Sequence, residues 1–232
     1  MKKYKAIFFD WDGTAVISRK ASADKVAEPM KRLLAEGVKL AVISGTTMEN
    51  IAGGRLHEYF GIEERKNLFL GLGRGAYNYS FDKEGVPFLM EQKIPAEEEM
   101  LKIHDICYEI HKHLLHTYRI PTDIVFSRPN YCKIDLMVGN HRGDTLFLQE
   151  GEREGLLFFL EQHGIKGGIK GVINLAERIG KEHGMPVLAT TDAKYLEVGI
   201  SSKSDNVDAL YGFFQKEYGI TEKECAFWGD EY

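Results

Sequence analysis

The sequence predicts an α/β protein: a Rossmann-like parallel-sheet core interrupted by an inserted α+β domain. Three observations carry that expectation. Short apolar runs of strand length alternate with runs of helical spacing over the first 82 residues. The alternation stops in the middle of the chain, where a long amphipathic stretch and paired strands take over. It returns from about residue 199 to the end. The expected division is therefore 1–82 with 199–232 for a discontinuous core, and 83–198 for the insertion.

Ile7, Phe8 and Phe9 form a short apolar run, the signature of a strand buried on both faces. A helix follows with Ser22 as its cap and Val26, Met30, Leu33 and Leu34 at helical spacing, ended by Gly37. Val38–Ile43 is a second strand. Met48 to Phe60 reads as another helix, weakened by Gly53 and Gly54. Asn67 to Leu72 is a third strand, and strand-helix-strand order favours parallel pairing with right-handed crossovers. Gly71-Leu72-Gly73-Arg74-Gly75 is out of register for a dinucleotide loop and reads as a turn into a strand over Ala76–Phe81.

Asp82-Lys83-Glu84-Gly85 is a polar turn. Ala96 to Tyr118 predicts a long helix with Ile103, Ile106, Ile110 and Leu114 on one stripe, closed by Pro121. Asp123–Ser127 and Cys132–Val138 read as strands. A helix is expected near Glu154–His163, a glycine-rich strand with turns over Gly164–Gly171, and a helix over Asn174–His183. Val187–Thr191 and Lys194–Val198 read as a strand pair around an Asp-Ala turn. Ser204 is placed to cap a helix carrying Val207, Leu210, Tyr211 and Phe214, and Thr221–Glu224 fits a capping box. Cys225–Trp228 is the last apolar strand.

At 232 residues, with 44% hydrophobic and 28% charged residues, the chain can bury a sizeable core and has ordinary globular composition. A net charge of −5 gives no global attraction to nucleic acid or an anionic membrane surface, so neither is expected as a partner. Cys107, Cys132 and Cys225 make no CxxC pair, and buried free thiols are expected. The apolar run after Met1–Lys5 stops at Asp10, too soon for a signal peptide. No stretch reaches membrane-span length. A cytoplasmic location and a monomer or homodimer are the expectations.

The chemistry concentrates in Asp10-Trp11-Asp12-Gly13-Thr14. Two carboxylates two positions apart repel, and they coexist comfortably with a cation or a shared proton. They follow the first strand, where an open α/β sheet places its ligands. Lys203 stands at a helix start, where the helix dipole disfavours a cation but a phosphate would bind both the ammonium and the helix N-terminus. Ser44 follows the second strand. On local sequence it reads equally well as a helix cap.

Taken together, these segments resemble the haloacid dehalogenase-like hydrolases. Asp10–Thr14 is similar to their DxDGT motif. Val42-Ile43-Ser44-Gly45-Thr46 resembles their second motif, Lys203 their third, and Phe227-Trp228-Gly229-Asp230 their fourth. The resemblance implies that Asp10 is a nucleophile forming an aspartyl-phosphate and Asp12 the general acid and base. It implies phosphate binding by Ser44, Gly45 and Lys203. It also implies Mg²⁺ held by Asp10, Asp12 and Asp230. A further acid, about four residues after the Gly-Asp in the family, would lie beyond Tyr232. The middle block resembles in size and position the cap of the Cof-like branch, with Arg128, Asn130 and Lys133 as candidate substrate contacts.

The function so implied is a Mg²⁺-dependent phosphatase acting on a small phosphorylated metabolite, a sugar phosphate above all. A phosphomutase of the same fold and a non-catalytic phosphate-binding or regulatory protein are the alternatives. His104, His111, His113 and His116 crowd one helix, but without HExxH and with spacing wrong for a shared ion, so no zinc site is expected there.

Overall fold

The computed structural model describes residues 4–17, 21–139, 151–191 and 194–229. The chain divides into two compact units, residues 1–93 with 202–232, and 94–201.

The first unit is built on a six-stranded sheet. Its strands are β1 (Ala6–Asp10), β2 (Lys39–Ile43), β3 (Leu68–Leu72), β4 (Tyr77–Phe81), β5 (Pro87–Gln92) and β10 (Cys225–Trp228), in the order β10-β1-β2-β3-β4-β5. β10, β1, β2 and β3 are parallel, while β4 and β5 run antiparallel at one edge. The apolar runs explain this core. Alternate side chains leave opposite faces of a strand. Thus Phe9, Leu40, Val42, Leu68 and Leu70 pack with Ala27, Met30 and Leu34 of α1 (Asp24–Ala35) on one face. Phe8, Ala41, Ile43 and Phe69 pack with Leu210 and Phe214 of α6 (Lys203–Tyr218) on the other. β1 therefore lies between two parallel neighbours whose helices cover opposite faces. Its carboxyl end is the switch point at which such sheets open a crevice.

Several expectations change in this unit. The stretch from Met48 to Phe60 is three short 3₁₀ turns, Met48–Asn50, Ala52–Gly54 and Leu56–Tyr59, followed by the one-turn α2 (Ile62–Arg65). Gly53 and Gly54 take φ +64° and +79°, which an α-helix excludes. The helix expected to be capped by Ser204 begins two residues earlier. Ser202 is its cap, and Asp205 Oδ2 accepts the Ser202 N–H at 2.7 Å. The core segment expected to end at residue 82 continues through the turn there. β5 pairs with β4 from Phe81↔Pro87 to Tyr77↔Gln92, which keeps this hairpin in the first sheet.

The second unit has a four-stranded antiparallel sheet, β6 (Asp123–Val125), β7 (Tyr131–Asp135), β8 (Leu188–Thr191) and β9 (Tyr195–Gly199), ordered β6-β7-β9-β8. One face carries Cys132, Ile134, Leu196 and Val198 into a core with α3 (Glu97–Tyr118), α4 (Glu152–Gln162) and α5 (Gly168–Glu182). α3 matches its predicted stripe: Ile103, Ile106, Ile110 and Leu114 are all buried. The glycine-rich strand expected over Gly164–Gly171 is instead a turn and the start of α5. Gly167 stands just before the helix at φ +84°, and Gly168 opens it at +55°. The Asp-Ala turn expected between β8 and β9 lies outside the described residues.

Cys107, Cys132 and Cys225 are buried free thiols. A hydrogen bond to Cys132, together with burial, pushes the Cys107 thiol far above its ordinary range, so it stays protonated and packs as an apolar group. Among the described residues no helix is long and apolar enough to cross a membrane.

Candidate active site

The carboxyl ends of β1, β2 and β3 and the first turn of α6 carry the polar groups of the first unit. β1 ends at Asp10 because the chain there turns away from β2. Trp11 is 1% exposed and anchors the turn; its N–H lies 3.3 Å from the Ile43 carbonyl and 2.8 Å from Asp10 Oδ1. Gly13, at φ +87°, lets the chain double back, and its N–H donates to the Val16 carbonyl at 2.9 Å. Asp12 sits half-buried in this tight loop, bridged to Val16.

The two ends of the sequence meet at Asp10. Lys203 is the first residue of α6, and its Nζ donates to Asp10 Oδ2 at 2.8 Å. Both Asp10 oxygens are thus engaged, one by a backbone N–H and one by an ammonium. The Lys203 side chain is 44% exposed and that of Asp10 13% exposed, so the pair is open to solvent on one side.

Ser44 is 1% exposed and follows β2, its N–H bonded to the Gly71 carbonyl at 2.9 Å. Its Oγ accepts the Thr46 N–H at 3.3 Å. No α-helix follows directly, so the hydroxyl closes a local turn rather than capping one. Gly45 comes next. A Cβ there would stand 3.4 Å from Arg74 Cγ and 3.9 Å from Lys203 Cε, so two basic side chains converge on this residue.

What fixes Lys203 against Asp10 is a residue the motifs do not contain. Asn206, one turn into α6, is fully buried. Its Oδ1 accepts the Gly75 N–H at 2.6 Å, and its Nδ2 donates to the Tyr77 carbonyl at 3.1 Å and to Asn78 Oδ1 at 3.0 Å. A Cβ on Gly71 would lie 2.7 Å from Asn206 Cβ and 2.8 Å from Ile43 Cδ1, so only glycine lets α6 approach β3 this closely. The Gly73–Gly75 loop is therefore pinned twice: by Asn206, and by the Gly73 N–H donating to the Thr46 carbonyl at 3.0 Å.

The structure thus brings Asp10, Gly45 and Lys203 together, with Asp12 and Ser44 in the adjoining turns. Asp230 lies outside the described residues. Among the described residues no cluster of three or more His, Cys, Asp or Glu side chains has metal-binding geometry. In the second unit, Asn130 is fully buried and donates to Ser201 Oγ at 3.3 Å, and Lys133 pairs with Glu197 at 2.8 Å. Those two candidate substrate contacts are engaged within their own unit. Arg74 and Asn206 are the residues that sequence reading missed. A polar, helix-averse Asn in the first turn after Lys203 and an Arg set among three glycines were the available signals.

No family model and no curated protein sequence matches this chain. Solved structures do. An IMP-bound IMP-nucleotidase from Plasmodium falciparum superposes with a TM-score of 0.67 at 13% identity, covering 97% of this chain and 57% of the nucleotidase. A haloacid dehalogenase-like hydrolase from Bacteroides thetaiotaomicron gives 0.52 at 16% identity, over 97% of this chain and 81% of the hydrolase. This chain has the haloacid dehalogenase-like fold. A second Bacteroides thetaiotaomicron protein, described among phosphatases of the haloalkanoate dehalogenase superfamily, gives 0.51 at 12% identity, over 97% and 77% of the two chains. The chain spans under two thirds of the nucleotidase's length, and identities this low carry the fold alone.

Proposed function

We propose that the chain is a phosphatase of small phosphate monoesters, acting through an aspartyl-phosphate on Asp10. The observation that carries this reading is the 2.8 Å contact between Lys203 Nζ and Asp10 Oδ2, which joins residues 193 positions apart at the switch point of the sheet. A nucleophilic carboxylate beside a fixed ammonium is what phosphoryl transfer asks of a protein, because most of the catalysis is positioning and charge stabilisation.

In this reading an Asp10 oxygen attacks phosphorus and the leaving alkoxide takes a proton from Asp12. Asp12 then removes a proton from the water that cleaves the aspartyl-phosphate, releasing inorganic phosphate and regenerating Asp10. Lys203 and the Gly45 backbone N–H hold phosphoryl oxygens, and Ser44 orders the turn that presents that N–H. The donor chemistry suits Mg²⁺: Asp10 and Asp12 offer oxygen ligands, and the ion needs only one or two protein carboxylates beside waters and a substrate phosphate. Asp10, Asp12 and Asp230 would hold it. Bound there, it would offset the repulsion between the carboxylate and the incoming phosphate.

The expected substrate is a phosphorylated sugar, either free or as a nucleoside monophosphate. The second unit is proposed as a Cof-like cap that selects the leaving group. Phosphate release should be measured across sugar phosphates, nucleoside monophosphates and an aryl phosphate, with and without Mg²⁺. Release is expected with at least one of them, silenced by EDTA and restored by Mg²⁺. Asp10→Asn should fall by about 10⁴-fold or more while its melting temperature stays close to that of the parent. Full activity in that variant would defeat the assignment. Strict dependence on a sugar bisphosphate would turn it towards a mutase.

A further inference from the structure

We propose that the outward face of α3 is the surface through which two copies of this chain pair, the two helices lying antiparallel about Tyr108. The face belongs wholly to the second unit, and its pairing stands independently of the phosphatase reading above.

α3 already has one partner. Ile103, Ile106, Ile110 and Leu114 are buried in the core of the second unit. A helix with one such stripe carries polar residues on its other side. Here that side carries Leu101, Tyr108 and Leu115, which are 54%, 52% and 38% exposed. Exposed apolar residues scattered singly are ordinary. These three stand seven residues apart, and a seven-residue repeat holds apolar side chains in one line along a helix, the seam by which helices pair. Fourteen residues of helix make that seam about 21 Å long. Phe126, also exposed, widens it beside His104, the two rings 4.9 Å apart.

The centre of the seam is fixed before any contact is made. The Tyr108 ring stacks with His111, centroids 6.1 Å apart, and Lys112 Nζ lies 5.0 Å from its centroid. His111 is held in turn by Thr122, whose Oγ1 is 2.6 Å from its Nδ1. An exposed tyrosine already held in place loses little entropy on being covered, which suits it to anchor an interface.

Charge decides what covers the seam. Glu97, Glu98 and Asp105 precede Tyr108, whereas Lys112 and Arg119 follow it. Lys102 and Glu109 break this order, but they stand about 120° and 100° round the helix from Tyr108, away from the seam. Glu109 pairs with Lys112 along its own helix. A parallel copy would set acid against acid and base against base. An antiparallel copy, related by a two-fold axis at Tyr108, sets Leu101 opposite the partner's Leu115, Glu97 opposite the partner's Arg119, and Asp105 beside the partner's Lys112. Glu97, Asp105 and Arg119 are all exposed and so within reach of such a partner. A contact of this kind is isologous and closes at two chains. Opposite charges facing across it select the partner and fix the register. The seam is small beside the roughly 20–30 residues a side of a standard interface, so the dimer is expected to form reversibly, in the micromolar range.

The test is sedimentation velocity of the full chain across micromolar concentrations. The parent should pass from the mass of one 26.3 kDa chain towards twice that mass as concentration rises. Leu101→Glu and Tyr108→Glu should each weaken pairing by about tenfold or more. Their melting temperatures at low concentration should stay close to the parent's, because neither side chain belongs to the core. Asp105→Lys and Lys112→Asp give the sharpest reading. Each alone should remain monomeric, since like charges then meet across the two-fold axis. An equimolar mixture of the two should pair, since each then meets the opposite charge on the other. A parent that stays monomeric throughout would overturn the inference and leave the seam to a different partner. A parent dimer left intact by Tyr108→Glu and Leu101→Glu would place the interface elsewhere on the chain and overturn it equally. A mixture no more dimeric than its two components would overturn the antiparallel arrangement.

Discussion

The two units treat buried polarity in opposite ways. In the first, Ser44, Arg74 and Asn206 are buried at the carboxyl ends of β2 and β3 and the start of α6, around a loop of three consecutive positive φ angles. In the second, the main core is apolar, from Ile103 on α3 to Val198 on β9. Its buried polar residues close short contacts at the sheet: Lys194 meets Asp135 at 3.2 Å, and Asn130 meets Ser201. Burying amides and charges stabilises little by itself, and each group left without a partner costs more than its bond gains. The first unit therefore holds groups in fixed directions at the expense of stability, and the second holds stability with few directed groups. Function belongs where the geometry is over-determined.

Substitution at Lys203 should show the largest effect and the sharpest contrast. Lys203→Gln removes the ammonium beside Asp10 and leaves the Asn206 contacts in place. Turnover of an aryl phosphate is expected to drop by about 10²–10³-fold, some 3–4 kcal/mol of transition-state stabilisation, by analogy with the loss of one oriented donor to a developing charge. The unfolding midpoint should move little, because the Lys203 end of the pair is 44% exposed and the Trp11 N–H still holds Asp10. A large loss of stability with intact turnover would reverse the roles assigned to the two units.

Ile106→Ala tests the other side of the contrast. Ile106 is 1% exposed in the core of the second unit. Its truncation should cost about 2–5 kcal/mol, read as a lower urea midpoint, while turnover per folded molecule persists. Asn206→Ala lies between these extremes. It strands the Gly75 N–H and Asn78 Oδ1 in a buried place, which should cost about 1–3 kcal/mol. Because the same amide fixes α6 against the loop, kcat should fall as well at temperatures where the variant is fully folded. If only stability falls, Asn206 holds the fold and does not set the site.

The sequence made some of this legible and hid the rest for physical reasons. β1, β2 and β3 are buried on both faces, so they read as uninterrupted apolar runs, and Asp10 could be placed at a strand end directly. β5 was missed because it is an edge strand with Phe88 and Leu89 46% and 40% exposed and a register shift at Asn78/Tyr79, which blurs its alternation. The stretch from Met48 to Phe60 has apolar residues at helical spacing, yet Gly53 and Gly54 adopt angles that spacing cannot reveal. The glycines at 164–171 suggested turns and a strand where they open α5, since glycine permits a helix without announcing one. Asn206 was out of reach for another reason. Its place comes from contacts across more than a hundred residues, such as that with Gly75, and no local pattern encodes a meeting of that kind.

The smallest expected effect concerns the outer edge of the first unit, where β10 joins β1. Glu224 accepts a hydrogen bond from Lys5 Nζ at 2.6 Å, and its other oxygen accepts the Thr221 N–H at 3.0 Å and the Thr221 hydroxyl at 2.9 Å. The Lys5 contact first, and then those of Thr221, hold the carboxyl down to about 2, against an ordinary value of 4.5. A folded-state value below the unfolded one means that the unfolded chain binds the proton more readily. The stabilisation is therefore complete above about pH 4.5 and drains away as the pH falls towards 2. Lys5→Met removes the leading cause and leaves Thr221 in place. Urea midpoints of parent and variant should differ slightly at pH 6 and converge as the pH is lowered through that window. The pair is exposed, so salt should shrink the difference further. A difference that widened at acid pH would mean that Lys5 acts through its alkyl stem rather than through the carboxylate, and would move this edge from the electrostatic to the packing side of the comparison.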